Sequence, residues 1–162
     1  MTIIIRPALI ADHDAIWAIM EPVIRAGETY ALPRNMDRAE ALAYWTGADR
    51  ECFVACRSDD ILGTYYLRAN QPGPGSHVAN CGFMTAARAT GQGVARSMAA
   101  HALAHARARN FTAMQFNLVV KTNSRAVKLW HSLGFVTLAE IPGAFRHPVH
   151  GLIPALVMHR AV

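Results

Sequence analysis

Cys81-Gly82-Phe83-Met84-Thr85, a short link, and then Thr90-Gly91-Gln92-Gly93-Val94-Ala95-Arg96-Ser97-Met98 form the stretch on which the fold turns. The first part is mostly apolar and reads as a strand. In the second, Val94, Met98, Ala102 and Leu103 recur at the period of a helix. Between them lies a turn with two glycines and little side-chain bulk. A helix start leaves backbone N–H groups without partners, and its dipole adds about half a positive charge there. Glycine lets a phosphate approach that backbone, so the segment is either an anion cradle or a tight connection. Two common nucleotide motifs fail. No Lys-Ser or Lys-Thr follows the glycines, so this is not a P-loop, and Arg96 stands where the dinucleotide fingerprint needs its third glycine.

The rest of the chain is consistent with one domain. At 162 residues it can bury a sizeable core, and its 52% hydrophobic content indicates a globular protein rather than disorder. The isoleucines at 3–5 are too short a run for a signal peptide or a membrane span. Cys52, Cys56 and Cys81 form no metal-like cluster and read as buried free thiols in a reducing cytoplasm. The net charge of +5 comes from 14 arginines and two lysines, scattered rather than striped. No aromatic-interleaved basic patch accompanies them, so nucleic acid is not expected. The balance suits a polyphosphate ligand or reflects the composition of the source genome.

The elements follow in order. Residues 2–8 read as a strand, and Asp12 as the N-cap of a helix with Ile16, Ile19, Met20 and Val23 on one face. Pro22 should kink or end that helix. An irregular connection around Tyr30 leads to a second helix from about Asp37 to Trp45. Tyr30 there is either a pocket residue or a packed surface aromatic. Residues 51–57 and 61–69 alternate as strands joined at Asp59-Asp60. After the break at 71–75 come the central strand (77–85), the cradle, and a helix ending near Asn110. A strand follows at 112–120, then a short helix capped by Asn123 and closed by Gly134. Strands at 135–141 and 153–159, joined by a loop rich in Pro, Gly and His, end the chain. The expected fold class is a mixed α/β sheet. His101 and His105, one helical turn apart, have metal-binding spacing but no evident third ligand, so a solvated or interfacial helix face is expected and no metal.

Asn123-Ser-Arg-Ala126-Val-Lys-Leu129-Trp130-His-Ser-Leu-Gly134-Phe135 resembles the GNAT acetyltransferase pattern Asn-x-x-Ala-x-x-Leu-Tyr-x-x-x-Gly-Phe. By itself it is also an N-capped amphipathic helix ending in glycine. About thirty residues upstream, the cradle resembles the same family's acyl-CoA loop, Arg/Gln-x-x-Gly-x-Gly/Ala. Arg88, Gly91 and Gly93 match that pattern literally but begin the helix two residues early. Thr90, Gly93 and Ala95 put the helix in phase at the cost of a Thr where Arg or Gln is usual, and this register is preferred. The resemblance covers residues 2 to 160 or so, with its specific motifs between 80 and 135.

The resemblance implies a mostly antiparallel twisted sheet with about four helices, and acetyl-CoA as cosubstrate in a V-shaped gap beside the central strand. Pantetheine would pair with Phe83, Met84 and Thr85. The pyrophosphate would sit on Gly91, Gln92, Gly93, Val94, Ala95 and Arg96. An amine would attack the thioester directly, with a strand N–H at the developing oxyanion. The family's frequent tyrosine acid falls at Trp130, whose indole cannot serve. Its frequent carboxylate base is missing from the central strand, where Asn80 stands, with Asn117 on the neighbouring strand. Each of these asparagines is otherwise explained by a local backbone bond. Asn80-Cys-Gly-Phe, Phe116-Asn117-Leu-Val and Thr122-Asn123 are similar to a fungal acetyltransferase group acting on L-azetidine-2-carboxylate, a proline analogue. That similarity implies catalytic roles for Asn80, Asn117 and Asn123. Asn80 and Asn117 would hold the substrate's carboxylate or reacting centre, and Asn123 would serve acetyl-CoA or a catalytic water. Tyr30 and, from the late loop carrying His147 and His150, Phe145 are further candidates to line the acceptor site.

The implied activity is N-acetylation of a small amine or amino acid in the cytoplasm, with no membrane partner and a homodimer left open. A regulatory module that binds acyl-CoA without turnover and a protein or peptide acetyltransferase are the alternatives.

Overall fold

The computed structural model describes residues 2–162. Among them, seven strands and four α-helices follow the expected order: β1 (Ile4–Pro7), α1 (His13–Ala26), α2 (Arg38–Trp45), β2 (Arg50–Arg57), β3 (Asp60–Ala69), β4 (Val78–Thr85), α3 (Val94–Ala108), β5 (Ala113–Val120), α4 (Ser124–Ser132), β6 (Val136–His147) and β7 (Gly151–Ala161). They form one sheet in the order β1-β2-β3-β4-β5-β7-β6. β4 and β5 are the parallel pair, and the other neighbours run antiparallel.

The alternation of β3 divides the helices between the two faces. Thr64 accepts a hydrogen bond from Trp45 Nε1 of α2 at 2.9 Å, whereas the next residue, Tyr65, meets His101 Nδ1 of α3 at 2.6 Å. Successive strand residues point to opposite faces, so α2 and α3 cover opposite sides. Trp45 and Tyr65 are wholly buried, one in each layer. Gly63 sets how close α3 comes. A Cβ there would lie 2.8 Å from Met98 and 2.9 Å from Val94, so the absent side chain lets the first turns of α3 settle on β3.

Several expectations are corrected. Asp12 stands before α1, but its carboxylate does not cap it. It accepts both guanidinium nitrogens of Arg6 (2.6 and 2.8 Å) and the N–H of Leu9 (2.7 Å), because a bidentate charged pair outweighs a neutral cap bond. Pro22 does not end α1, which runs on to Ala26. Pro22 is exposed, so the carbonyl it leaves unpaired meets water, while buried Ile16, Ile19, Met20 and Ile24 hold the helix in place. The β2–β3 turn is Ser58-Asp59, with Asp60 already paired to Arg57.

The largest correction concerns the end of the chain. The expected late loop is a hairpin in which β6 and β7 pair from Val136↔His159 to His147↔Gly151. β6 is an edge strand with its residues almost all exposed, so burial leaves no alternation to read. Pro142 needs no ladder partner at an edge, and the register shifts between Ile141 and Phe145. Phe145 and His147 are thus buried strand residues, with Phe145 packed on Val120 and Ile153. His101 and His105, expected on a solvated or interfacial face, are half-buried. They pack on Phe53 and bond Tyr65 and Glu51.

Candidate active site

β4 and β5 pair at two positions, Val78↔Ala113 and Ala79↔Met114, and then part. Beyond these pairs β4 runs on to Thr85 and β5 to Val120 without a shared ladder, leaving a V-shaped gap in the middle of the sheet. Asn80 stands where the strands separate, and its Nδ2 donates to the carbonyl of Gln115 at 3.0 Å, fastening the apex. That bond explains how an asparagine is buried in a strand interior. β5 bulges between Phe116 and Val119, so that Asn117 and Leu118 oppose one residue of β7. The bulge turns Asn117 toward the gap, where its Nδ2 donates to Asn70 Oδ1 (2.7 Å) and its Oδ1 accepts from Gln115 Nε2 (3.0 Å). Asn123 completes the set as the N-cap of α4, accepting from the N–H of Ala126 at 3.3 Å. All three asparagines line one cavity of about 240 Å³. This volume lies below the roughly 300–1,000 Å³ of drug-sized pockets and suits a small acceptor.

Tyr30 also lies on this cavity. Its loop is tied down by Arg34, which donates to Arg25 O (2.8 Å), and by Arg25, which donates to Arg34 O and Met36 O (2.6 and 2.9 Å). The hydroxyl of Tyr30 accepts from the N–H of Phe83 and donates to its carbonyl, both at 2.7 Å. Those are the groups that β4 turns away from β3. Burial pushes the phenol well above its ordinary range, so it keeps its proton at neutral pH. Phe145, by contrast, is not on the cavity wall and stands behind Val120.

Trp130 closes the α3 side of the gap among Phe83, Phe116 and Phe135, with ring centroids 4.8–5.9 Å away. At the wide end lies the cradle. Gly91 and Gly93 hold φ of 80° and 81°, and a Cβ at either would meet nothing within 4 Å. The first bond of α3 runs from Ser97 N–H to Gly93 O (3.0 Å), leaving the N–H groups of Val94, Ala95 and Arg96 at the helix end. Gln92 folds back on the loop, donating to Arg88 O and accepting from Arg57 (2.8 and 2.9 Å). Arg88 is turned away to Asp60 and the carbonyl of Ile61. Arg96 reaches across to Ser132 of α4 at 2.9 Å. Met84 is buried and Thr85 half-buried at the end of β4.

Four residues of the site were missed from sequence: Tyr44, Tyr66 and Arg68 on the cavity wall, and Asn70 beside Asn117. Alternation along Thr64, Tyr66 and Arg68 was the available signal, since it puts them on the face that carries Asn80. Among the described residues no group of three His, Cys, Asp or Glu side chains is placed to hold a metal.

The family model of the Acetyltransferase (GNAT) family matches residues 17–135, which include both motifs and both walls of the gap. The chain belongs to the GNAT family. It is an N-acetyltransferase that uses acetyl-CoA, and the open cradle, the free amides of α3 and the edge of β4 that no strand covers fit that cosubstrate. The N-acetyltransferase aca1 of Schizosaccharomyces pombe (strain 972 / ATCC 24843) is 29% identical over 154 residues, covering 83% of this chain and 72% of its own. A GCN5-related N-acetyltransferase from Kribbella flavida is 41% identical and superposes with a TM-score of 0.94 over 99% of this chain and 98% of that one. YncA of Salmonella typhimurium, solved with acetyl-CoA, shares the fold at 19% identity, with a TM-score of 0.87 over 99% and 94% of the two chains.

Proposed function

We propose that this acetyltransferase acts on the nitrogen of a small amino acid, of which a cyclic secondary one such as L-azetidine-2-carboxylate is the favoured example. The carrying observation is the wall of the gap. It is small, it brings Asn80, Asn117 and Asn123 together, and it contains no Asp, Glu or His. Such a wall offers amides and one guanidinium, that of Arg68, to a polar acceptor. The match of its asparagines to the azetidine-2-carboxylate group supports the substrate class.

Acetyl-CoA, when bound, supplies an acetyl group activated as a thioester. The amides of Val94, Ala95 and Arg96 and the open turn at Gly91 and Gly93 would hold its pyrophosphate, and Phe83, Met84 and Thr85 its pantetheine. Asn80 spends one donor on Gln115 O, and among the described residues no donor reaches its Oδ1, which can accept an N–H of the acceptor and orient the nitrogen. Asn117 is held by Asn70 and Gln115 and presents a fixed amide beside it. With no carboxylate on the wall, the nitrogen's proton passes to water ordered by these amides. Trp130 gives no proton at neutral pH, and a thiol of pKa about 8.5 departs without one. The amide-bearing side of the gap is the acceptor's, and the cytoplasm is the proposed location.

The test is thiol release from acetyl-CoA with a panel of amines. Proline analogues and other small α-amino acids should turn over while their carboxamides lag. Turnover confined to peptides would replace this reading with peptide acetylation, and tight coenzyme A binding without turnover would replace it with a regulatory module.

A further inference from the structure

Two guanidinium groups and one carboxylate stand beside the gap. Asp49 accepts Arg50 through both oxygens, at 2.8 and 3.0 Å. Arg50 also lies over the rings of Tyr44 and Tyr66, with 4.9 and 4.8 Å to their centroids, so it is fixed from both sides. Arg68, paired with Arg50 across β2 and β3, reaches the same carboxylate at 3.5 Å through one nitrogen. Its Nε is buried without a hydrogen-bond partner among the described residues. On its other side Arg68 is paired with Asn80 across β3 and β4, which puts both side chains on one face of the sheet. Arg68 is the one charged residue among those lining the cavity.

We propose that Arg68 is the anchor for the substrate's carboxylate and so sets the preference for amino acids over plain amines. One positive charge remains beside the gap after Asp49 is satisfied, and a planar guanidinium takes a carboxylate through two parallel N–H groups. The asparagines do less of this work than their position suggests, because Nδ2 of Asn80 and of Asn117 already donates to Gln115 O and to Asn70. The division of labour is then physical: Arg68 holds the anion, and Asn80, one strand over, meets the nitrogen attached one carbon away. A substrate bridging the two carries its amine close to its carboxylate, as an α-amino acid does. The inference rests on the amino-acid reading given above and adds to it the residue that reads the acid.

The experiment compares each amino acid with its carboxamide in the wild type, Arg68→Met and Arg68→Lys, with coenzyme A affinity and thermal unfolding measured beside them. A hydrogen bond to a charged group changes specificity by roughly ten- to a hundredfold. The wild type should prefer the acid by about that factor. Arg68→Met should lose the preference through KM, with kcat on the acid held within about threefold. Arg68→Lys should recover part of it, and coenzyme A affinity should stay within about twofold in both. A wild type indifferent to the carboxylate would overturn the amino-acid reading and this one together. A wild type that prefers the acid while Arg68→Met keeps that preference would overturn the anchor alone. So would equal losses on acid and carboxamide in Arg68→Met and Arg68→Lys, which would make Arg68 a structural residue.

Discussion

Replacing Tyr30 by Phe should loosen the protein and yet spare, or strengthen, its hold on coenzyme A. The phenol oxygen makes two hydrogen bonds, one to each backbone group of Phe83, both at 2.7 Å. A net contribution of about 0.5–1.5 kcal/mol for each gives about 1–3 kcal/mol. The two freed groups open on the gap, where water can reach them, so the lower part of that range applies, about 1–2 kcal/mol. Phe keeps the ring and its edge contact with Trp45, so no cavity is added. For a chain of this size the loss corresponds to a fall in Tm of roughly 2–8 °C. In urea the midpoint should drop with the slope unchanged. The same two groups of Phe83 are expected to pair with the pantetheine, so the hydroxyl competes with the cosubstrate for them. Calorimetry should therefore show coenzyme A bound at least as tightly as in the wild type, and at most about tenfold tighter, which is the ~1.4 kcal/mol released from competition. Coenzyme A affinity falling in step with stability would refute the reasoning, and so would a Tm that does not move.

Other tests address the rest of the site. Gly93→Glu puts a carboxylate where the pyrophosphate is expected, in space that holds no other atom within 4 Å. Its left-handed φ costs about 1 kcal/mol of stability, so the variant should fold but lose coenzyme A binding in calorimetry. Asn80→Ala removes the fastening to Gln115 and the nitrogen's partner together. It should lower kcat/KM on the amino acid by about ten- to a hundredfold while leaving coenzyme A affinity near that of the wild type. Stability should also depend on pH near neutrality through His101, whose pKa burial and the neighbouring His105 lower from its ordinary 6.5. The unfolded chain then binds the proton more readily, so this contribution is complete above about 6.5 and drains as pH falls below it. Unfolding followed from pH 8 to 5 should show that loss, and His101→Gln, which keeps an acceptor for Tyr65, should flatten it.

The order of strands and helices was legible because the apolar residues of α1 and α3 and the turn residues between strands are local signals. The glycine turn and the helix after it were legible for the same reason, since α3 begins directly after Gly93. The length of β6 was not, because an exposed edge strand has no buried face to write into its sequence. That α1 would run on past Pro22 was not legible, because the effect of a proline depends on which side of the helix faces water. Asn80 and Asn117 stood out as polar residues in strands, but their partners Gln115 and Asn70 lie 35 and 47 residues away and needed the register. Arg68 was one arginine among 14 until β2, β3 and β4 were set side by side.

The parting of β4 from β5 also matters for how the molecule holds together. Two ladder positions, the bond of Asn80 to Gln115 and that of Asn117 to Asn70 join strands β1–β4 to strands β5–β7. Rings add to these bonds, Phe83 of one half packing against Phe116 and Trp130 of the other. Ring packing tolerates small rotations that a ladder of backbone bonds would forbid, so the seam is the natural place for the two halves to breathe. An extended molecule lying along β4 would serve as a missing strand, splinting the halves. A cosubstrate bound there would be, in that sense, a removable part of the sheet, and the protein would be at its stiffest while loaded.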